Sequence, residues 1–146
     1  MKKIIYYVAT SLDGFIAGPN EEVDKFIAGG DAVEHYLNDL QTFDTVIMGR
    51  KTYEFGYKFG LRPGGAPYPD MQNYVFSETL KLDNAEDRVH VVEPDLELIK
   101  KIKMEEGTDI YLCGGGQFAG WLLDHQLIDV VKVKLNPILL GEGISM

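Results

Sequence analysis

Three short apolar runs limit how this chain can fold: Lys3–Ala9, Thr45–Met48 and Asp109–Cys113. Each is almost continuously apolar, where a half-exposed strand would alternate. Such strands need cover on both faces, which a parallel sheet flanked by helices provides. Helical patterns stand between them. Val33, Tyr36, Leu37 and Leu40 recur at helical spacing, as do Leu98, Ile99 and Ile102, and then Phe118, Trp121 and Leu122. Further strands are predicted at Gln72–Ser77, Arg88–Val92 and Asp129–Leu135; in the last, Val131, Val133 and Leu135 alternate with Lys132 and Lys134. Strands separated by helices favour a mostly parallel sheet. The expected architecture is therefore a single α/β domain over residues 1–146, with a central, mostly parallel sheet and helices on both faces.

Local signals set the boundaries. Asp31 and Glu34 stand where an N-cap and the third helical residue belong, opening a helix that ends near Thr42. A short helix is expected to start near Thr52. Asp95 is the predicted N-cap of the next helix and Gly107 its C-terminal stop. Thr10–Gly30 and Gly60–Pro69 read as loops, because Asp-Gly, Gly-Pro and Pro-Gly pairs mark turns. The last strand runs into Asn136–Met146, a turn towards another strand, and leaves a sheet edge of the kind proteins normally cover. From this the natural polypeptide is expected to continue, with its C-terminal strand or strands missing here.

The net charge of −9 opposes nucleic acid and anionic membrane surfaces as partners. No apolar run approaches the ~20 residues that cross a bilayer, and the basic tip at Lys2 and Lys3 leads into a strand instead of a signal peptide. A cytoplasmic protein is expected. Cys113 is the only cysteine, so there is no internal disulfide. His35, His90 and His125 are scattered and read as surface or packing residues, and no metal site is expected.

Three stretches could carry chemistry. In YLCGGGQFAGWLL a strand meets Gly114, Gly115 and Gly116 just before a helix. The spacing is a weak match to the dinucleotide fingerprint, but it lies late in the chain and no acid follows to hold a ribose. Glycines at such a junction let backbone amides approach an anion, or they simply cap a helix packed tightly on the sheet. In VIMGRKTYE a second strand ends in glycine, and Arg50, Lys51 and Thr52 offer two cations and a hydroxyl that suit a phosphate; a solvated Arg-Lys pair is the alternative. In an open α/β sheet ligands bind beyond the carboxyl ends of the strands, so the two junctions can share one ligand. The third stretch, Ala9–Gly18, leaves another such end. Its small and apolar residues could floor or cover a flat ring, and Asp13 offers a carboxylate or merely sets a turn.

Taken together, YYVATSLDGFIAG, VIMGRKTYE and YLCGGGQFAGWLL resemble the dihydrofolate reductase-like superfamily, and most closely its branch typified by the reductase domain of bifunctional riboflavin-biosynthesis proteins. The resemblance spans essentially the whole chain. It implies NADPH-dependent hydride transfer to a small heterocyclic or imine or carbonyl substrate, similar to 5-amino-6-(5-phosphoribosylamino)uracil reductase, in a homodimer. By the same resemblance, Gly49, Arg50, Lys51 and Thr52 hold the adenosine-side phosphates and Ser77 lies on that side. Gly114, Gly115, Gly116 and Gln117 hold the pyrophosphate, and Ala9, Ser11 and Ile16 line the nicotinamide. Asp13 is the implied catalytic carboxylate. Folate reductases carry an acid on the first helix; here that position falls beside Val33, flanked by Asp31 and Glu34, with no clean equivalent. A folate or pterin reductase and a catalytically silent NADP(H)-binding module are the alternatives.

Overall fold

The computed structural model describes residues 1–146. The elements run in the order β1 (Ile4–Thr10), β2 (Phe15–Ala17), α1 (Asp31–Leu40), β3 (Thr45–Gly49), α2 (Arg50–Phe55), β4 (Gln72–Phe76), β5 (Val89–Val92), α3 (Leu96–Met104), β6 (Ile110–Gly114), α4 (Gly116–Asp124), β7 (Val130–Leu135) and β8 (Ile144–Ser145). Six strands form one sheet in the order β5-β4-β3-β6-β1-β7, and every neighbouring pair in it is parallel. The apolar runs take the central places, with β6 between β3 and β1. No helix is long and apolar enough to cross a membrane.

Side-chain alternation splits the core into two layers. Ile4, Tyr6, Val8, Ile47 and Leu112 face Ile99 and Ile102 of α3 and Ala119 and Leu122 of α4. On the other face Ile5, Tyr7, Val46, Met48 and Tyr111 meet Tyr53 of α2, with Tyr36 and Leu40 of α1 against them. Fully burying a large apolar side chain contributes about 1.5–3 kcal/mol, so these two layers carry most of the fold.

Several local expectations are corrected. Asp31 is the first residue of α1, not its N-cap; Gly30, at φ 95°, takes that place and no side chain caps the helix. A positive φ suits glycine, which is why the carboxylate is displaced by one residue. Asp95 does cap α3, accepting from the Glu97 amide at 2.9 Å. That helix stops at Met104, before Gly107. The Thr10–Gly30 segment contains β2, which pairs antiparallel with β8 in a separate two-stranded sheet. β7 forms the sheet edge, and Val131, Val133 and Leu135 are exposed along it.

Two ion-pair clamps close the amino ends of the strands, away from the glycine junctions. Asp129 accepts from Lys103 Nζ at 2.8 Å and from the Ile4 amide at 2.8 Å. Asp44 faces Lys2 at 3.5 Å and accepts from the Thr108 amide at 3.0 Å.

Candidate active site at the carboxyl ends of the strands

The carboxyl ends of β1, β3, β4 and β6 open into one cleft of about 1110 Å³. Its position follows from the sheet. β3 and β6 lie side by side, so their glycine-terminated ends, each leading into a helix, meet. The β3–β6 register slips there: Ile47 faces Leu112, but Met48 faces Gly114. Cys113 is thus the extra residue, a device that commonly re-aims side chains beside sites.

Absent side chains make the junctions fit. A Cβ on Gly49 would stand 3.3 Å from Phe118 Cβ, and one on Gly115 would stand 3.1 Å from Thr52 Oγ1. Gly114 has φ 132° and is followed by a cis peptide. Gly116 is crowded from another side: a Cβ there would lie 2.8 Å from the Ser145 carbonyl oxygen. That glycine is required by packing against the β8 segment. The first amides of α4 have no partner within the helix, and no side chain caps them.

The cations at the β3 junction differ in freedom. Arg50 is held by Glu54, Nε to Oε1 2.9 Å, and donates from Nη1 to Thr79 Oγ1 at 2.6 Å. A guanidinium has five N–H donors, so others remain free. Lys51 is exposed and enters no ion pair. Ser77 accepts from the amides of Thr79 and Leu80 at 3.2 and 3.0 Å, capping the turn that presents Thr79 to Arg50. A stacked row of Phe76, Phe118 and Trp121 walls this half, with centroid spacings of 4.9 and 6.0 Å.

Of the residues expected at a site, Ala9, Ile16, Gly49, Arg50, Lys51, Thr52, Gly115, Gly116 and Gln117 line the cleft. Ser11, Asp13, Ser77 and Gly114 are not among its lining residues. Ser11 is buried and shapes the β1–β2 turn, donating to Asp13 at 2.6 Å and accepting from the Phe15 amide at 3.0 Å. Asp13, expected as the catalytic carboxylate, lies outside the cleft lining and is engaged elsewhere. It is exposed and accepts from the amides of Leu140 and Gly141 at 3.2 and 2.8 Å. These bonds, the Ser11 hydroxyl foremost, lower its pKa to about 2. It is a strap between two loops. Asp31 and Glu34 are also exposed and outside the cleft lining.

The other half of the cleft is a wall that the sequence did not announce. Tyr7, Tyr36, Tyr68, Tyr111, Cys113 and Lys134 line it. The Tyr36 and Tyr111 hydroxyl oxygens are 2.7 Å apart, and Tyr68 Oη lies 3.3 Å from Cys113 Sγ. Tyr7 donates to Asp39 at 3.0 Å, and Lys132 lies 3.5 Å from the same carboxylate oxygen. Burial pushes the pKa of Tyr36 up and those of Tyr68 and Tyr111 well up; it also raises the Cys113 thiol. All four stay protonated at neutral pH.

Known proteins place this geometry. The chain is 33% identical to the uncharacterized protein YwjB of Bacillus subtilis, over 99% of this chain and 82% of that one. It is 31% identical to YyaP of the same organism, over 97% of this chain and 78% of that one. Among solved structures, a protein from Shewanella sp. PV-4 assigned to riboflavin biosynthesis superposes with a TM-score of 0.81 at 27% identity, covering 98% of this chain and 81% of that one. Enterococcus faecalis dihydrofolate reductase, solved with NADP(H), gives 0.68 at 16% identity over 99% and 76% of the two chains. The Thermotoga maritima diaminohydroxyphosphoribosylaminopyrimidine deaminase/5-amino-6-(5-phosphoribosylamino)uracil reductase gives the same score and identity over 99% of this chain and 47% of that one. The last two likenesses establish the dihydrofolate reductase-like fold. Residues 2–146 match the RibD C-terminal domain family, and the chain belongs to it.

Proposed function

We propose that the protein is an NADPH-dependent reductase that transfers hydride to a small heterocyclic or imine or carbonyl substrate, in the manner of 5-amino-6-(5-phosphoribosylamino)uracil reductase. The observation that carries the reading is the meeting of two glycine junctions, Gly49–Thr52 and Gly115–Gln117, in one cleft wall. They suit a phosphorylated dinucleotide: Gly115 brings no Cβ, no side chain caps the start of α4, and Lys51 and the unspent Arg50 donors supply charge. Arg50, Lys51 and Thr52 would hold the outer phosphates, and Gly115 with Gln117 the pyrophosphate. Ala9 and Ile16 would face the nicotinamide, which supplies the hydride. The chain's own work is to hold reactant and cofactor in register, keep water away and stabilise the arriving charge. Membership of a family with reductase members supports this reading over a folate-specific one, because no carboxylate of α1 lines the cleft. Trp121, the only tryptophan, stands in the wall, so its fluorescence reports occupancy. Titration with NADPH and NADH should give saturable quenching, tighter for NADPH. Absence of saturable binding by either sinks the proposal.

A further inference from the structure

We propose that the tyrosine half of the cleft holds a carboxylate of the substrate, and that Lys134 is the residue that selects it. The proposal rests on the reductase reading above and adds to it a substrate class, a carboxylic acid, and a specificity-determining residue.

Two lysines of β7 show the contrast that carries it. In the parallel pairing of β7 with β1, Lys132 stands beside Tyr7 and Lys134 beside Ala9. Paired residues of neighbouring strands share a face, so both side chains rise on the side covered by α1. Each ammonium lies over a ring: Lys132 Nζ is 5.4 Å from the centre of Tyr7, and Lys134 Nζ is 5.9 Å from the centre of Tyr36. Lys132 is exposed and has a counter-ion, Asp39, at 3.5 Å. Lys134 is half-buried in the cleft lining and enters none of the protein's ion pairs. A cation partly withdrawn from water is stabilised by an anion beside it, and here the chain supplies none.

No other group of the cleft fills that place. Glu21 is the only acidic side chain in the lining, and Lys58 holds it at 2.9 Å. Tyr36, Tyr68, Tyr111 and Cys113 bond among themselves and carry no charge. Both halves of the cleft therefore offer free positive charge, Arg50 and Lys51 in one and Lys134 in the other, in a chain of net charge −9. The halves differ in kind. Two cations and the uncapped start of α4 gather at the glycine junctions, which suits phosphate. In the tyrosine half a single ammonium stands among neutral hydroxyls, which suits a monoanion. A carboxylate, with one charge on two acceptor oxygens, fits it. Ala9, the residue proposed beside the nicotinamide, is the sheet neighbour of Lys134. A carboxylate held by Lys134 thus anchors the rest of the molecule next to the hydride donor, and binding at this remote group orients the reacting carbon.

The probes are 4-acetylbenzoate, its uncharged isostere 4-acetylbenzamide, and 4-acetylphenyl phosphate. Each is titrated calorimetrically into the intact protein saturated with NADP+, which fills the phosphate half and prevents turnover. Wild type should bind the benzoate at least about tenfold more tightly than the amide, by a margin that shrinks as NaCl is raised. The phosphate should bind no more tightly than the benzoate. Lys134→Met keeps an unbranched stem against the rings and removes the charge; it should bring the benzoate down to the level of the amide with NADPH affinity kept. Lys134→Arg should retain the preference. A benzoate that does not bind, or binds no better than the amide, overturns this inference alone while NADPH binding stands. A preference that survives Lys134→Met overturns the role of Lys134, and a phosphate that binds more tightly than the benzoate overturns the choice of carboxylate. Failure to bind NADPH at all defeats the underlying reductase reading, and this inference with it.

Discussion

The Thr52 hydroxyl stands across from the Cα of Gly115, so that a Cβ added to Gly115 would come within 3.1 Å of Thr52 Oγ1. One residue belongs to the β3–α2 junction and the other to the β6–α4 junction, and their closeness makes two distant sequence motifs into one wall. Gly115 has φ −88° and ψ −166°, a conformation open to any residue, so alanine there meets crowding and not backbone strain. Gly115→Ala should weaken NADPH binding about tenfold, equal to roughly 1.4 kcal/mol, while unfolding shifts by only a few degrees. Thr52→Ala should cost less affinity in the Gly115→Ala background than in wild type, because neighbouring substitutions couple. Additive losses in a double-mutant cycle of NADPH titrations would show that the clash is not the cause.

Arg50 is the residue expected to read the 2′-phosphate, although Glu54 and Thr79 already hold part of its guanidinium. Arg50→Ala should weaken NADPH by about 1.5–3 kcal/mol, the worth of a charge-assisted bond, and NADH much less. Glu54→Gln frees the guanidinium and should tighten NADPH. Side-by-side titrations of the two cofactors decide this; equal weakening of both by Arg50→Ala means that Arg50 does not contact the distinguishing phosphate.

The sheet was legible in the sequence because its signals are local: continuous apolar runs closed by glycine, with helical spacing between them. The two glycine junctions were legible for the same reason, each being a strand end next to a helix start. The tyrosine wall was not. Its members come from β1, α1, the loop before β4, β6 and β7, and the tyrosines each read alone as core filling. Only the packing of α1 and the loop before β4 on the face of β1 and β6 brings their polar ends together. Asp13 shows the converse. Its Asp-Gly turn is local, but the amides that claim its carboxylate are those of Leu140 and Gly141, over a hundred residues away.

Asp13 therefore predicts an acid-stability effect. Its folded pKa is depressed to about 2 by the Ser11 hydroxyl and the loop amides, against an ordinary value near 3.9. The sign follows from linkage: a depressed carboxylate favours the folded state fully above its unfolded pKa, and that gain is lost as pH falls from about 4 towards 2. Thermal melts of wild type should decline over this window, whereas Asp13→Asn should melt lower at neutral pH and decline less. Cleavage of the 137–143 segment by a protease should be faster in the variant. Parallel declines of the two proteins would remove the strap from the account.

Neighbouring tyrosines on opposite faces of β1 give the last test. Tyr7 has partners: it donates to Asp39 at 3.0 Å, and Lys132 Nζ lies 5.4 Å from the centre of its ring. Tyr6, only 4% exposed, points its hydroxyl into the α3–α4 layer with no partner, and burial pushes its pKa up to about 12. A buried polar atom without a hydrogen bond costs free energy that an apolar isostere avoids, whereas removing half of a made bond orphans the other half. Tyr6→Phe should thus stabilise the protein by about 1 kcal/mol, raising Tm by roughly 2–4 °C. Tyr7→Phe, the same chemical change one residue along, should destabilise it by a similar amount, since Asp39 loses a donor. Urea unfolding of both variants measures the difference. A Tyr6→Phe protein less stable than wild type would mean that a water bonds the hydroxyl inside the core, and the two tyrosines would then be equivalent instead of opposite.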